Sequence, residues 1–283
     1  MAKDIIIKAE DVFFSYTDTD EYSLKGFSIE IERGKKVAFM GSNGAGKTTF
    51  FLCMNGIHKP QRGKIYIDNK KVEYSRKDLL ELRRKVGIVF QDPDNQLFSA
   101  SVFQEISFGI LNIGVDKEKA REEVEKVIEE LEIEPFKEKP VHSLSGGQKK
   151  QVSIADVLVM NPEIIIFDEP AAALDPKHTE IVNRLIEKLT ERGITVLIST
   201  HDVDYAYEWA DDIAVVHDGK TIAYGLPDDV FENAELLQKT NLKKPAVLEM
   251  YDKLTEKGLL KKRETAPRNL VELEKMLDTA MSQ

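Results

Sequence analysis

The stretch KVAFMGSNGAGKTTFFLCM, residues 36–54, joins an apolar run to a glycine-rich loop and a second apolar run. KVAFM is a short apolar run that ends at a glycine, the mark of a strand feeding a loop, and TTFFLCMNG continues as a helix. Between them GSNGAGKT, residues 41–48, has the spacing G-x-x-x-x-G-K-[ST]. A strand before and a helix after give that spacing the context of a phosphate loop. The loop backbone of Gly41, Ser42, Asn43, Gly44, Ala45 and Gly46 can cradle the α- and β-phosphates, and Thr49 follows in the opening turn of the helix. Lys47 can reach the β- and γ-phosphates, and Thr48 can offer its hydroxyl oxygen to Mg²⁺. This motif specifies a nucleoside triphosphate but not a task.

Working outward, FSIEIE (27–32) alternates apolar and charged positions, so Phe27, Ile29 and Ile31 are expected to face a core. KIYID (64–68) and KVGIVF (85–90) are further strand candidates. EIIIFDEP (163–170) and ITVLIST (194–200) are continuous apolar runs of the kind found in strands covered on both faces. The segment 178–193 between them places Ile181, Val182, Leu185, Ile186 and Leu189 on one helical face and stops at Gly193. That is a βαβ unit, and it favours a mostly parallel central sheet. From about residue 92 to 160 the strand pattern disappears, and DKEKAREEVEKVIEELEI carries Ala120, Val124, Val127, Ile128 and Leu131 as one stripe. A helical subdomain is expected there. DIAVVHDGKTIAYG (212–225) reads as two strands joined at Asp218-Gly219, after which the chain turns helical and polar.

Composition bounds the function. The 283 residues carry a formal net charge of −10, which argues against the basic surface that nonspecific nucleic-acid binding needs. No apolar run approaches the ~18 residues that would cross a bilayer, so any membrane role is expected to come through a partner. The start MAKDIIIKAEDV has no apolar segment before a small-residue cleavage site, which points to a protein that stays in the cytoplasm. Cys53, alone of its kind, sits in an apolar stretch and reads as a buried thiol.

Four residues complete the chemistry. The strand IIIF delivers Asp168 to its C-terminal end, where a charged carboxylate can anchor Mg²⁺, and the adjacent Glu169 can orient and deprotonate an attacking water. Gln91 and His201 each follow an apolar strand and are placed at the same ligand-binding edge, within reach of a γ-phosphate or its water. The other histidines, His58, His142, His178 and His217, have no metal-ligand spacing and read as surface or packing residues. SLSGG (143–147) holds no nucleophile, yet Ser145, Gly146, Gly147 and the helix start behind them form a second place for an anion.

Taken in order, the phosphate loop, Gln91, LSGGQ (144–148), IIIFDEP, AALD (172–175) and His201 resemble the ATP-binding cassette ATPases over about residues 5–230. The resemblance implies an α/β P-loop NTPase fold with a central mostly parallel sheet, an N-terminal antiparallel β subdomain, an inserted helical subdomain and a small C-terminal helical appendage, residues 231–283. It implies ATP and Mg²⁺ as ligands, with Gln91 joining Thr48 and Asp168 around the metal. It implies that LSGGQ completes the ATP site of a second, head-to-tail cassette chain, with Ser145, Gly147 and Gln148 on the γ-phosphate and ribose held by that chain. It further implies that Tyr16 stacks on adenine and that Asp175 links the two composite sites. Two departures stand out: Lys149–Gln151 where arginine is common, and Ala171–Ala173 where polar residues or glycine are common.

Within the family, QDPDNQLFSASVFQEISFGILNIG (91–114) resembles the segment of the cobalt, nickel and vitamin uptake ATPases of the energy-coupling-factor type, where it contacts a membrane subunit. The expected function is that of a peripheral ATPase on the cytoplasmic face of the membrane, partnered by a transmembrane coupling subunit and a membrane substrate-binding subunit. The appendage is expected to reinforce dimerisation. The alternative, a soluble cassette ATPase of DNA repair or translation, would call for a long coiled-coil insertion or basic extensions, and a small-molecule P-loop kinase would call for a lid in place of LSGGQ.

Overall fold

The structure, a computed structural model, describes residues 3–17, 21–172, 174–261 and 265–281; Ala173 of the Ala171–Ala173 run lies outside them. The chain opens with β1 (Ile5–Phe14) and β2 (Leu24–Glu32), then β3 (Lys36–Met40) feeds the glycine loop and α1 (Lys47–Met54). β4 (Arg62–Ile67) and β5 (Lys70–Lys71) return to the first sheet, whose order is β2–β1–β4–β5 with antiparallel pairing throughout. α2 (Arg76–Lys85) leads to β6 (Val86–Val89), and the helical subdomain follows as α3 (Val102–Asn112), α4 (Lys117–Glu130) and α5 (Gly146–Leu158). β7 (Ile164–Asp168), α6 (Pro176–Glu191), β8 (Thr195–Ser199), α7 (Val203–Trp209) and the hairpin β9 (Asp212–His217) and β10 (Lys220–Gly225) complete the cassette. α8 (Pro227–Phe231), α9 (Ala234–Thr240), α10 (Ala246–Glu256) and α11 (Leu270–Met281) form the C-terminal part.

The second sheet runs β10–β9–β3–β8–β7–β6, parallel except for the β9–β10 pair. Its inner strands β3, β8 and β7, with β6 beside them, are buried on both faces, which is why they read as apolar runs, whereas the edge strand β10 is partly exposed. Side chains alternate across a strand. Thus Ile164 and Ile166 of β7 enter the core beneath the antiparallel sheet, while Ile165 and Phe167 enter the core beneath the helices. Helix α1 is sandwiched on the first of these sides: Phe50 stacks on Phe27 at 4.1 Å, and Phe51 meets Phe39 edge-on at 5.0 Å. A helix so enclosed has no polar face, and FFLCM accordingly shows none.

The expected apolar stripe of α4 is buried at Ala120, Val124, Val127 and Ile128, with Leu131 just beyond it. Phe27, Ile29 and Ile31 face inward as the alternation requires. Ionic contacts tie the two sheets together at one end: Arg33 reaches Asp4 (3.0 Å), Asp68 (2.6 Å) and Glu163 (2.7 Å), and Lys85 reaches Asp68 (2.9 Å) and Glu163 (3.0 Å). At the C-terminus, Leu248, Tyr251 and Leu273 join the core beneath the helices, and Arg268 donates to the Tyr207 carbonyl oxygen at 2.9 Å. Among the described residues, no helix is long and apolar enough to cross a membrane.

Candidate functional site: a phosphate loop and a signature helix

Strand register builds the site. Asp168 pairs with Ser199, and Ser199 with Phe39, so β7, β8 and β3 end level with one another. The residues that follow, Glu169, Thr200–His201 and the glycine loop, therefore emerge at one edge, as is usual for ligand sites of parallel sheets. Gly41 has φ +140°, and a Cβ there would lie 2.1 Å from the Val216 carbonyl oxygen, so the loop's close approach to β9 admits only glycine.

Lys47 is buried, and its ammonium curls back to donate to the carbonyl oxygens of Gly41 (2.7 Å) and Ser42 (3.2 Å). Burial pushes its pKa down, against the opposing pull of Glu169 and Asp168. Thr48 Oγ1 donates to Asp168 Oδ2 at 2.7 Å, and the Ser199 hydroxyl donates to Asp168 Oδ1. Two hard oxygen donors thus stand together beside the phosphate loop, a donor set suited to Mg²⁺ that shares its remaining positions with phosphate and water. Among the described residues, there is no cluster of three or more His, Cys, Asp or Glu side chains able to hold a metal by themselves. The oxygen pair therefore fits a metal that arrives with a nucleotide.

Glu169 has φ +46°, a left-handed backbone that non-glycine residues seldom adopt and that concentrates at working sites. Its N–H is held by the Ser199 carbonyl oxygen (3.2 Å) and hydroxyl (3.0 Å). Its carboxylate meets His201 Nε2 at 2.9 Å. Gln91 lies exposed just beyond β6, and its carbonyl oxygen accepts from Lys150 at 2.8 Å. Tyr16 is 59% exposed, with its hydroxyl 3.1 Å from Thr49 Oγ1 and its ring edge-on to Phe14 and His58. An aromatic ring thus stands free beside the phosphate-loop helix.

The second anion device is a helix start of its own. Ser145 caps α5: its hydroxyl accepts from Gln148 N at 3.3 Å, and Gln148 Oε1 accepts from Ser145 N at 3.1 Å. This capping box fixes the loop while Ser145 and Gly146 remain exposed. Gly147 is buried, and a Cβ there would lie 1.8 Å from His178 Cδ2. So Gly147 serves an internal contact beneath the exposed Ser145 and Gly146. His178 Nδ1 lies 2.6 Å from Asp175 Oδ2, and Asp175 caps α6 through the His178 N–H at 3.0 Å.

Sequence reasoning left three participants unassigned. His178 reads in the sequence as a surface or packing histidine, and its spacing of three from a capping aspartate is the available signal. Ser199 is a buried hydroxyl at the end of an apolar run. Lys150 is a lysine with no exposed surface, and nothing in a KKQ run says which cation turns inward.

The family model for ABC transporters matches residues 24–172. A model described as the osmosensitive K⁺ channel His kinase sensor domain matches residues 103–275, a span that begins beyond the phosphate loop. The energy-coupling factor transporter ATP-binding protein EcfA3 of Clostridium perfringens is 45% identical over 256 residues, 90% of each chain. The structure of cbiO1 from the same organism, part of the ABC transporter complex cbiONQ, superposes with a TM-score of 0.74 at 44% identity, covering 90% of this chain and all of that one. A dimeric ATP-binding cassette in a post-hydrolysis state with ADP and Pi bound superposes with a TM-score of 0.70 at 31% identity, covering 78% of this chain and 98% of that one.

Proposed function

This chain belongs to the ABC transporter ATPases, and from that premise we propose that it is the ATP-hydrolysing subunit of a membrane importer of the energy-coupling-factor type. The observation that carries the reading is the pairing of a complete phosphate-loop edge with an exposed, capped signature helix in the same chain. An anion-binding helix start that no part of its own phosphate loop occupies is a contact made for a second cassette. Two chains then enclose two ATP molecules, each between the phosphate loop of one and Ser145, Gly147 and Gln148 of the other.

The residues divide the work. Loop amides and Lys47 bind the phosphates, and Tyr16 covers the adenine. Thr48 and Asp168, with Gln91, would hold Mg²⁺, which when bound neutralises charge on the β- and γ-phosphates. Glu169 takes the proton of the attacking water, and His201 orients the Glu169 carboxylate and the γ-phosphate. Closure is favoured by ATP because only the closed pair contacts the γ-phosphate from both sides; its loss on hydrolysis lets the pair reopen.

The helical subdomain supplies the membrane contact. Phe98 is 66% exposed and stands edge-on to the exposed Phe108 at 4.9 Å. Phe108 also lines a cavity of about 630 Å³ together with Phe103, Leu111, Lys117 and Arg121. A transmembrane coupling subunit seats its cytoplasmic helices there, so that the ATPase lies peripherally on the cytoplasmic face. Apolar side chains left exposed in the C-terminal segment, Met250, Leu259, Leu270, Val271 and Met281, pair the appendage of one chain with that of its partner, a second copy or a paralogue. The cargo is a transition-metal ion such as cobalt or nickel, or a vitamin, bound by a separate membrane subunit.

The test is recovery of the Glu169→Gln chain from membranes in the presence of ATP. Co-purification of an integral membrane protein, lost in Phe98→Asp, is the expected result. Recovery of soluble nucleic-acid factors alone would overturn the transport reading.

A further inference from the structure

Lys150 sits on the first turns of α5, five residues after Ser145, and has no exposed surface. Holding an ammonium inside a protein is costly unless its donors are met. Two of the three donors of Lys150 are met by main chain of another segment: its Nζ donates to the carbonyl oxygens of Phe90 and Gln91, both at 2.8 Å. Burial lowers its pKa to about 8, with Asp92 and Asp168 pulling the other way.

The same segment is tied to α5 at further points. Gln96 donates to the Ser153 carbonyl oxygen (2.9 Å) and to Asp156 Oδ2 (3.2 Å), and its Oε1 accepts from Phe90 N at 3.4 Å. Lys149 meets Asp94 at 2.6 Å. At the far end, the buried Glu105 of α3 accepts from the N–H groups of Phe98 (2.9 Å) and Ser99. The connection is therefore clasped to the signature helix from Phe90 to Gln96 and to α3 at its Phe98–Ser99 end. Gln91 stands at one end of it and the exposed Phe98 at the other.

We infer that Lys150 is a positioning residue that fixes the backbone of Gln91 to the signature helix, so that one rigid unit carries the metal-directed Gln91 side chain, the Ser145–Gln148 helix start and the Phe98 loop. The inference rests on the proposed function, since Gln91 acts there on Mg²⁺. Its consequence is that a push on Phe98 reaches the signature helix and Gln91 together. Neutral removal of the clasp frees Gln91 without touching the phosphate loop.

The experiment compares the full-length wild type with Lys150→Met and Lys150→Arg, using equilibrium ATP binding with and without Mg²⁺ and amide hydrogen exchange across residues 90–99. For Lys150→Met we expect Mg²⁺-free ATP affinity within about twofold of wild type, but a loss of about tenfold in the gain that Mg²⁺ brings, the scale of a broken supporting contact at a metal site. Exchange over residues 90–99 is expected to rise about tenfold, the kinetic mark of local opening. Lys150→Arg, which keeps charged donors at the carbonyls, restores both. If Lys150→Met does not fold, Lys150→Ala, which likewise offers the carbonyls no donor, is read in its place against the same two outcomes. Wild-type Mg²⁺ gain and wild-type exchange in the neutral variant would overturn the assignment. A wild-type chain whose ATP binding gains nothing from Mg²⁺ would instead overturn the nucleotide-site reading itself, before any variant is considered.

Discussion

His201 Nε2 and Glu169 Oε1 are 2.9 Å apart, joined across the ends of adjacent parallel strands. The contact exists because β7 and β8 end in register and because Glu169 takes a left-handed turn that aims its carboxylate back toward β8. Such a backbone persists only where its surroundings hold it, here through the Ser199 hydroxyl and carbonyl on the Glu169 N–H.

Glu169→Gln keeps the size and the backbone of the residue and removes its capacity to accept a proton. ATP binding and ATP-dependent pairing are expected to persist while turnover falls by about 10²–10⁴-fold, the usual contribution of a general base. Phosphate release from the purified variant measures this. Turnover within a few-fold of wild type would move the base elsewhere.

Gly147→Ala is expected to fail for a reason inside its own chain: the new methyl meets the His178 ring. The ring must shift and loosen its bond to Asp175, so ATP-dependent pairing weakens strongly. Gly147→Ala combined with His178→Ala relieves the clash and is expected to regain part of the loss, a coupling that a double-mutant cycle on pairing affinity would detect. Simple additivity of the two changes would show that the ring is not the obstacle.

Asp156 gives stability a signed dependence on pH. Burial pushes its carboxyl up to about 7, a donor bond from Gln96 opposes that, and the Glu105 charge adds to it. From the ordinary value of 3.8 up to about 7 the folded chain keeps a proton that the unfolded chain has lost. Its contribution to stability is therefore greatest at low pH, declines as pH rises through that window, and levels off above it. Asp156→Asn, whose amide oxygen still accepts from Gln96, is expected to melt above wild type by a clearly larger margin at pH 8 than at pH 5. Equal shifts at both pH values would contradict this.

Much of this site was legible in the chain because its parts are local. The phosphate loop, the Asp168–Glu169 pair and the signature helix are each written in a few consecutive residues, and the unbroken apolar runs of β7 and β8 told of a sheet covered on both faces. What escaped was set by contacts between distant segments. Lys150 reads as one more surface lysine until β6 is laid beside α5, and His178 as a helix-surface residue until Gly147 is packed beneath it. The helix α2 is hard to read because RKDLLELRRK is mostly charged, with three leucines of which only Leu82 is buried. The strand β5 is two exposed lysines, recognisable only by its pairing with β4.

The most direct test of the shared site is complementation between two disabled chains. Lys47→Ala disables the phosphate loop and Ser145→Arg blocks the signature helix start, so neither alone can assemble a working site. In a mixed pair, the intact phosphate loop of the second chain meets the intact signature of the first. An equimolar mixture is expected to recover about a quarter of wild-type ATPase, since half of randomly exchanging pairs are mixed and each holds one of two sites. A mixture no more active than the two chains assayed separately would contradict the account.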